Sequence, residues 1–388
     1  MRKQLIYPLL AVVLAVGLGM IVVGGRMTAH SLESWSEPLG PRLALEEITQ
    51  ESSASPTAAE QLVAASMALL EGGTPTSAAT EAPTAFAPPP TSTAPQPLCG
   101  GPETMTILGI GTDNRGDTYR YGLGDVIRIA RIDFLTTRVT VLSLPRDIWV
   151  SIPAIQEKSG ITHGKLNQAF SYGGDGWGYF DGSAGGAGLT ALTLQRNFGL
   201  TVDHYGVVNM KTFERIVDAL GGIDVHLPDP VDGTPIDSYT ENMGYFPAGD
   251  HHFDGSEALR FARIRKRYND LRRADNQNLV LCALRKKLVS TDALAALPEM
   301  VGAFEDSVQT DLSLEQITQL ACLVPQIKKR NIIFTGLPKD MLKESWEYSP
   351  QIRGTTFVYS VDKEAVTELL ADFQAGTWPT SADEPSCQ

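Results

Sequence analysis

Leu5–Gly25 is an unbroken stretch of apolar residues and glycine with no charge, preceded by Arg2 and Lys3 and closed by Arg26. A helix needs about 20 such residues to cross the hydrocarbon of a bilayer. The stretch is therefore withdrawn from any water-soluble core and is expected to be a single membrane anchor. The basic residues ahead of it favour a cytoplasmic N-terminus. A cleaved signal peptide is the competing reading, but the run is long for a signal core and no small-x-small cleavage site follows it. Both readings put the rest of the chain outside the cytoplasm, and the anchor reading makes this a cell-membrane protein with an extracellular domain.

Residues 27–98 are expected to form a linker. Ser, Thr, Ala and Pro dominate, and PPPTSTAPQP reads as extended polyproline-like chain. Two short helical pieces could interrupt it, at Leu43–Thr49 and Ala58–Leu70. The division is then 1–26 for the cytoplasmic tip and anchor, 27–98 for the linker, and 99–388 for the folded, catalytic domain. The net charge of -13 argues against a nucleic-acid partner. Cys99, Cys282, Cys322 and Cys387 lie far apart with no CxxC pair, which fits disulfides outside the cell membrane better than metal ligation. Four cysteines allow three connectivities. The expected one joins Cys99 to Cys387, because they bracket the domain and chain termini often lie close together, and Cys282 to Cys322.

Strand patterns occur at Met105–Thr112, Val126–Phe134, Arg138–Leu144, Ile148–Ile152, His204–Asn209, Ile223–Leu227, Asn331–Thr335 and Thr355–Tyr359. Helical patterns occur at Leu189–Phe198, Lys211–Leu220, Asn276–Leu288, Leu314–Val324 and Lys363–Phe373, and another begins at Ser256, a candidate N-cap. Gly173–Gly188 has no GxGxxG opening a helix after a strand and reads as a mobile loop. No internal repeat is visible. The imperfect alternation implies an α/β class, a layered α/β/α sandwich with a mixed central sheet.

The stretch EALRFARIRKRYNDLRRADNQ, Glu257–Gln277, concentrates arginines in an acidic chain. The planar guanidinium grips phosphate through two parallel hydrogen bonds and keeps its charge at neutral pH. A solvated helix face is the plain alternative. Asp113 and Arg146 stand directly after strands, where chemistry in α/β folds tends to sit. Either could also be ordinary, Asp113 as a turn aspartate and Arg146 as the partner of Asp147.

The succession GIGTDNRG, LGDVIRIARID, LSLPRDIWVSIP, HGKLNQAF, VDALGGIDV, FDGSEALRFARIR and DLRRADNQ resembles the LytR-CpsA-Psr family over roughly Thr104 to Leu288, and more weakly to about Phe373. The resemblance implies a transferase that moves a glycopolymer from a polyprenyl pyrophosphate carrier to peptidoglycan through a phosphodiester bond. It also implies a hydrophobic tunnel for the polyprenyl chain and a magnesium ion. By resemblance, Arg146, Arg263, Arg265, Arg273 and Gln277 would hold the pyrophosphate, with Arg115 and Lys165 as weaker candidates. Asp113 and Asp125 would hold the metal. Asp270 would orient an arginine or accept a proton, and with Arg146 and Arg263 would form the catalytic set. Tunnel candidates are Phe170, Leu192, Phe198, Val207, Phe213, Ile216, Leu279 and Leu281. Three positions depart from the family pattern: Leu123 and Asn276 stand where arginines are usual, and Val126 stands where Thr or Ser is usual. Arg115, Arg120 and Arg128 are the candidates to replace the missing charge. A lipid-binding regulator without transfer activity and a lipid pyrophosphatase are the competing functions.

Overall fold

The computed structural model describes residues 36–43, 95–114, 119–265, 270–288, 308–380 and 387, with the side chains of residues 270–272 outside that set. The anchor, most of the linker and Arg115 lie outside the described residues. Among the described residues no helix is long and apolar enough to cross a membrane.

Strand alternation builds the centre. In β1 (Thr104–Thr112), Leu108 and Ile110 point to one face of the sheet and Met105 and Ile107 to the other. The same switch recurs in β2 (Gly124–Asp133) and β3 (Arg138–Leu144). With β4 (His204–Asn209), β5 (Val308–Thr310) and β6 (Ile332–Gly336) they form a six-stranded sheet in the order β5-β4-β1-β2-β3-β6. β1 pairs antiparallel with β2 and parallel with β4, so the sheet is mixed, as the sequence implies.

One face carries α1 (Leu166–Gly173) and α2 (Gly185–Phe198) over a core of Leu108, Ile110, Ile127, Ile129, Leu142 and Phe170. The glycine-rich run expected to be a mobile loop contributes the first turn of α2. Its glycines let the two helices touch: a Cβ at Gly186 would lie 2.5 Å from the Phe170 carbonyl oxygen. Four of the tunnel candidates, Phe170, Leu192, Phe198 and Val207, belong to this packed core and line no cavity on the other side.

The opposite face is covered by α5 (Asp270–Leu288) and by α6 (Leu314–Leu323), with α3 (Met210–Ala219) and α4 (Gly255–Arg263) alongside. The helix carrying Arg263 is capped by Asp254, not Ser256. The Asp254 side chain accepts from the Glu257 N–H, and the Glu257 carboxylate accepts in return from the Asp254 N–H. α5 begins six residues earlier than its apolar pattern suggests, so Arg273 sits on a helix. α7 (Lys363–Ala375) packs on α2. The segment at Ile148–Ile152 is a shorter strand, Trp149–Ser151, paired with His163–Lys165.

The disulfides are Cys99–Cys322 and Cys282–Cys387, which corrects the expected pairing. α6 packs on the turn at Leu98–Gly100 and brings Cys322 to Cys99. Cys387 and Cys282 meet in the apolar cluster beneath α5 and α6. The proximity of the two ends of the domain is real in part, but a helix intervenes and takes the first cysteine.

Candidate functional site

Side-by-side pairing of β1 and β2 decides the site. Thr112 faces Gly124 across the ladder, so Asp113 and Asp125 emerge together. The Asp113 Oδ1 accepts from the Leu123 N–H at 2.7 Å. Burial pushes its carboxyl pKa up, the Leu123 bond and Arg146 resist, and the nearby Asp125 carboxylate pushes the same way as burial. Asp125 is more fully engaged. Its Oδ2 pairs with Arg146 Nη1 at 2.6 Å and its Oδ1 accepts from Asn167 Nδ2 at 3.0 Å. Arg146 also faces Asp147 at 3.3 Å, and Asp147 in turn accepts from Lys165 Nζ at 2.7 Å.

Beside this network a cavity of about 470 Å³ opens between the sheet and α4 and α5. Its lining combines Asp113, Asp125, Arg128, Arg263, Arg265, Arg273 and Gln277, with Asp232 and Glu241, and a large apolar share that includes Val208, Met210, Phe213, Met243, Leu259, Val280 and Leu281. Six of the residues singled out in the sequence therefore meet at one place. Arg146 is tied to it through Asp125, and Lys165 stands one residue further back. Asp270 opens α5, but its side chain lies outside the described residues, as does Arg115 altogether. Of the tunnel candidates, Phe213 and Leu281 line the cavity and Leu279 packs against the adjoining cluster of Val217, Phe253 and Phe261.

Two residues that the motifs did not single out as leading candidates matter here. Arg128 is a cation inside the apolar strand VIRIARID, and that interruption was the available signal. Glu241 pairs with Arg263, its carboxylate receiving Nη2 at 2.8 Å and Nη1 at 3.5 Å. Nothing in the turn-rich stretch around Glu241 announces this contact. An exposed carboxylate on this arginine would compete with an anion brought to it. Such pairs are worth ~0.2–1 kcal/mol, so Glu241→Gln should tighten the binding of inorganic pyrophosphate by up to about fivefold, measured by calorimetric titration.

A second cavity of about 550 Å³ adjoins the first and reaches Leu337, Pro338, Tyr359 and Trp378. Asp125, Val126, Arg273 and Gln277 line both cavities and so form the partition between them.

Residues 76–374 match the LytR_cpsA_psr family model. The chain belongs to the LytR_cpsA_psr family. Among curated relatives of this LytR_cpsA_psr protein, the polyisoprenyl-teichoic acid–peptidoglycan teichoic acid transferase TagU of Oceanobacillus iheyensis is 30% identical over 221 residues, 56% of this chain and 62% of that one. The enzyme of the same description from Enterococcus faecalis is 27% identical over 247 residues, 62% of this chain and 72% of that one. The chain thus spans about three-fifths of the length of the Oceanobacillus relative. Among solved structures, the gbs0355 protein of Streptococcus agalactiae has a TM-score of 0.57 at 20% identity, covering 73% of this chain and 91% of that one. TagV of B. subtilis has a TM-score of 0.52 at 23% identity, covering 70% and 98%. TagT bound to LIIa-WTA has a TM-score of 0.52 at 21% identity, covering 72% and 95%. These likenesses establish the fold.

Proposed function

We propose that this LytR_cpsA_psr protein is a membrane-anchored transferase that moves a glycopolymer from a polyprenyl pyrophosphate carrier to peptidoglycan. The observation that carries the reading is one cavity whose lining joins four arginines, Asp113 and Asp125 to a large apolar share of wall. A polyprenyl pyrophosphate is built the same way, a dense dianionic or trianionic head on a hydrocarbon tail. The curated relatives named as polyisoprenyl-teichoic acid–peptidoglycan teichoic acid transferases support the substrate class.

In the transfer, an acceptor hydroxyl oxygen forms a bond to the phosphorus that carries the polymer. The bond from that phosphorus to the bridging oxygen breaks, polyprenyl phosphate leaves, and the hydroxyl proton passes to a base. Arg263, Arg265 and Arg273 would hold the phosphate oxygens and stabilise the charge that moves onto the leaving phosphate. Arg146 acts one step behind them by fixing the Asp125 carboxylate. The second cavity shares Arg273 and Gln277 with the first and offers the acceptor a separate approach to them. Asp270, at the start of α5, is the candidate base by resemblance.

Magnesium is part of the proposal. Among the described residues no group of three or more His, Cys, Asp or Glu could hold a metal. The donors available are Asp113 and Asp125, hard oxygens of the type the ion takes, with phosphate and water oxygens to fill the shell. The neighbouring carboxylates fit a cation, since Asp125 helps keep the Asp113 pKa up. The ion's contribution would be charge neutralisation at the phosphates.

The sign of the Asp113 shift gives a further prediction. Between its ordinary value of 3.8 and its raised folded value, the native state holds a proton that the unfolded chain has released. Stability from this group therefore falls as pH rises through that window. Asp113→Asn keeps an oxygen for the Leu123 N–H and cannot ionise. The ligand-free variant should melt slightly higher at pH 7, lose that pH dependence, and lose its response to added magnesium. A variant that melts lower at pH 7 would reject the shift.

The whole reading is tested by incubating the full chain, in detergent, with a polyprenyl-pyrophosphate saccharide, magnesium and peptidoglycan fragments. Joined product is the expected result. Free polyprenyl phosphate without an adduct would instead show hydrolysis, and unchanged bound lipid would show a binding protein.

A further inference from the structure

We propose that Arg128 is a phosphate-binding residue of this cavity, supplying from β2 a positive charge that the arginine-rich stretch lacks at position 276. The inference rests on the transferase reading above and assigns a donor within that site.

β2 sends Ile127 and Ile129 into the core under α1, so Val126 and Arg128 face the other way, under α5. Arg128 is 7% exposed and lines the cavity. Its Nη1 donates to Asn278 Oδ1 at 2.7 Å, and its Nη2 donates to the Ala274 carbonyl and Gln277 Oε1, each at 3.2 Å. All three acceptors are neutral and lie within five residues of α5. Its Nε has no acceptor, and among the described residues Arg128 makes no ion pair.

A guanidinium this buried normally has a carboxylate against it, because the desolvation of an unpaired charge is not repaid by neutral acceptors. Here the largest influence of a charged neighbour comes from a like charge. Burial, then Arg273, bring the Arg128 pKa down to about 10, with only the exposed Asp275 opposing. Arg273 is itself 8% exposed and lines the same cavity. Two buried guanidinium groups at close range on one cavity wall repel, and an anion between them removes that repulsion. Asn276, on the same turn of α5, is 1% exposed and leaves its Nδ2 without an acceptor. Around Arg128 itself the acceptors are neutral, and the carboxylates that line the cavity make no ion pair with it among the described residues. The ligand this wall fits is an oxyanion with several acceptor oxygens, a diphosphate, either on a lipid or free.

A purely structural role would have Arg128 tie β2 to α5. The two roles predict opposite effects on the ligand-free protein. Removing a strut lowers its melting temperature, whereas removing an uncompensated buried charge leaves it equal or raises it.

The test uses the full chain in detergent and three probes: geranylgeranyl pyrophosphate, inorganic pyrophosphate and geranylgeraniol. Wild type should bind the first most tightly. Arg128→Met should weaken both pyrophosphate probes by about ten- to hundredfold, the value of a charged hydrogen-bond partner. It should leave geranylgeraniol binding unchanged and the ligand-free melting temperature equal or higher. Arg128→Lys, which keeps the charge without the fork, should fall between. Affinity of Arg128→Met within about twofold of wild type, or a clear fall in its ligand-free melting temperature, overturns the assignment while leaving the transferase reading intact. Wild-type affinity for the lipid no greater than for inorganic pyrophosphate would reassign the site to a free anion. Failure of wild type to bind any of the probes would end the transferase reading and this one with it.

Discussion

Arg273→Ala is expected to cut transfer by about a hundred- to thousandfold, the range seen when a preorganised donor to a developing negative charge is removed. Three features single this residue out from the other arginines. It is 8% exposed, so its field is weakly screened by water. Its Nη2 donates to the Asp125 backbone oxygen at 3.0 Å, which fixes the guanidinium at the junction of β2 and α5. It lines both cavities, so a phosphate passing from donor to acceptor stays within its reach. Arg263 differs on each count, being partly exposed and already paired with Glu241. The loss should fall mainly on kcat, because charge on the leaving phosphate grows in the transition state. The folded state should survive, since the lost bond to Asp125 is offset by relief of the repulsion between Arg273 and Arg128. Turnover of a lipid-linked saccharide measures the effect, with Arg330→Ala, which lines neither cavity, as the control. An Arg273→Ala protein within a factor of about three of wild type would remove Arg273 from the catalytic set.

What the chain displayed in advance, and what it hid, follows from the range of the interactions. β1, β2 and β3 are legible because alternation over seven or more residues needs no partner to be seen. The convergence of Asp113 and Asp125 follows from the antiparallel pairing of two strands that are consecutive in the chain. The cap was legible too: Asp254 has a glutamate three residues on, as a capping box requires, whereas Ser256 has Leu259 in that place. Four of the eight tunnel candidates fell in the core on the other face, for a different reason. Hydropathy marks Phe170 and Phe213 alike as buried, but which face of the sheet each one covers depends on how distant helices pack. The Arg263–Glu241 pair and the disulfides are hidden in the same way, because they join segments between which the sequence has no period. Arg128 lies between these cases. Its position in a strand was visible, yet the donor-rich wall around it appears only when α5 is laid across β2.

The disulfides carry the second large prediction. Cys99–Cys322 closes a separation of 223 residues and Cys282–Cys387 one of 105. In the chain-entropy account, each bridge of this length stabilises by about 5 kcal/mol by restricting the unfolded chain, a value that depends on that model. The structural setting supports a large effect. Cys387 is buried in a cluster with Met105, Phe134, Leu323 and Phe334, on the sheet face that α5 and α6 cover. Cys282 lies on α5, the helix that also carries Arg273 and Gln277, so this bridge steadies the rear of the site's main helix. The replacement Cys99→Ser with Cys322→Ser should lower stability to denaturant by about 4–5 kcal/mol. The replacement Cys282→Ser with Cys387→Ser should do nearly as much and should also weaken pyrophosphate binding, because α5 loses its tie. Replacing all four cysteines by serine should cost less than the sum of the two separate losses, since the loops overlap between residues 282 and 322. Urea titrations of the four proteins, with reductant absent, provide the comparison. Equal midpoints in wild type and both double-serine proteins would show that packing alone holds α5 and α6 in place.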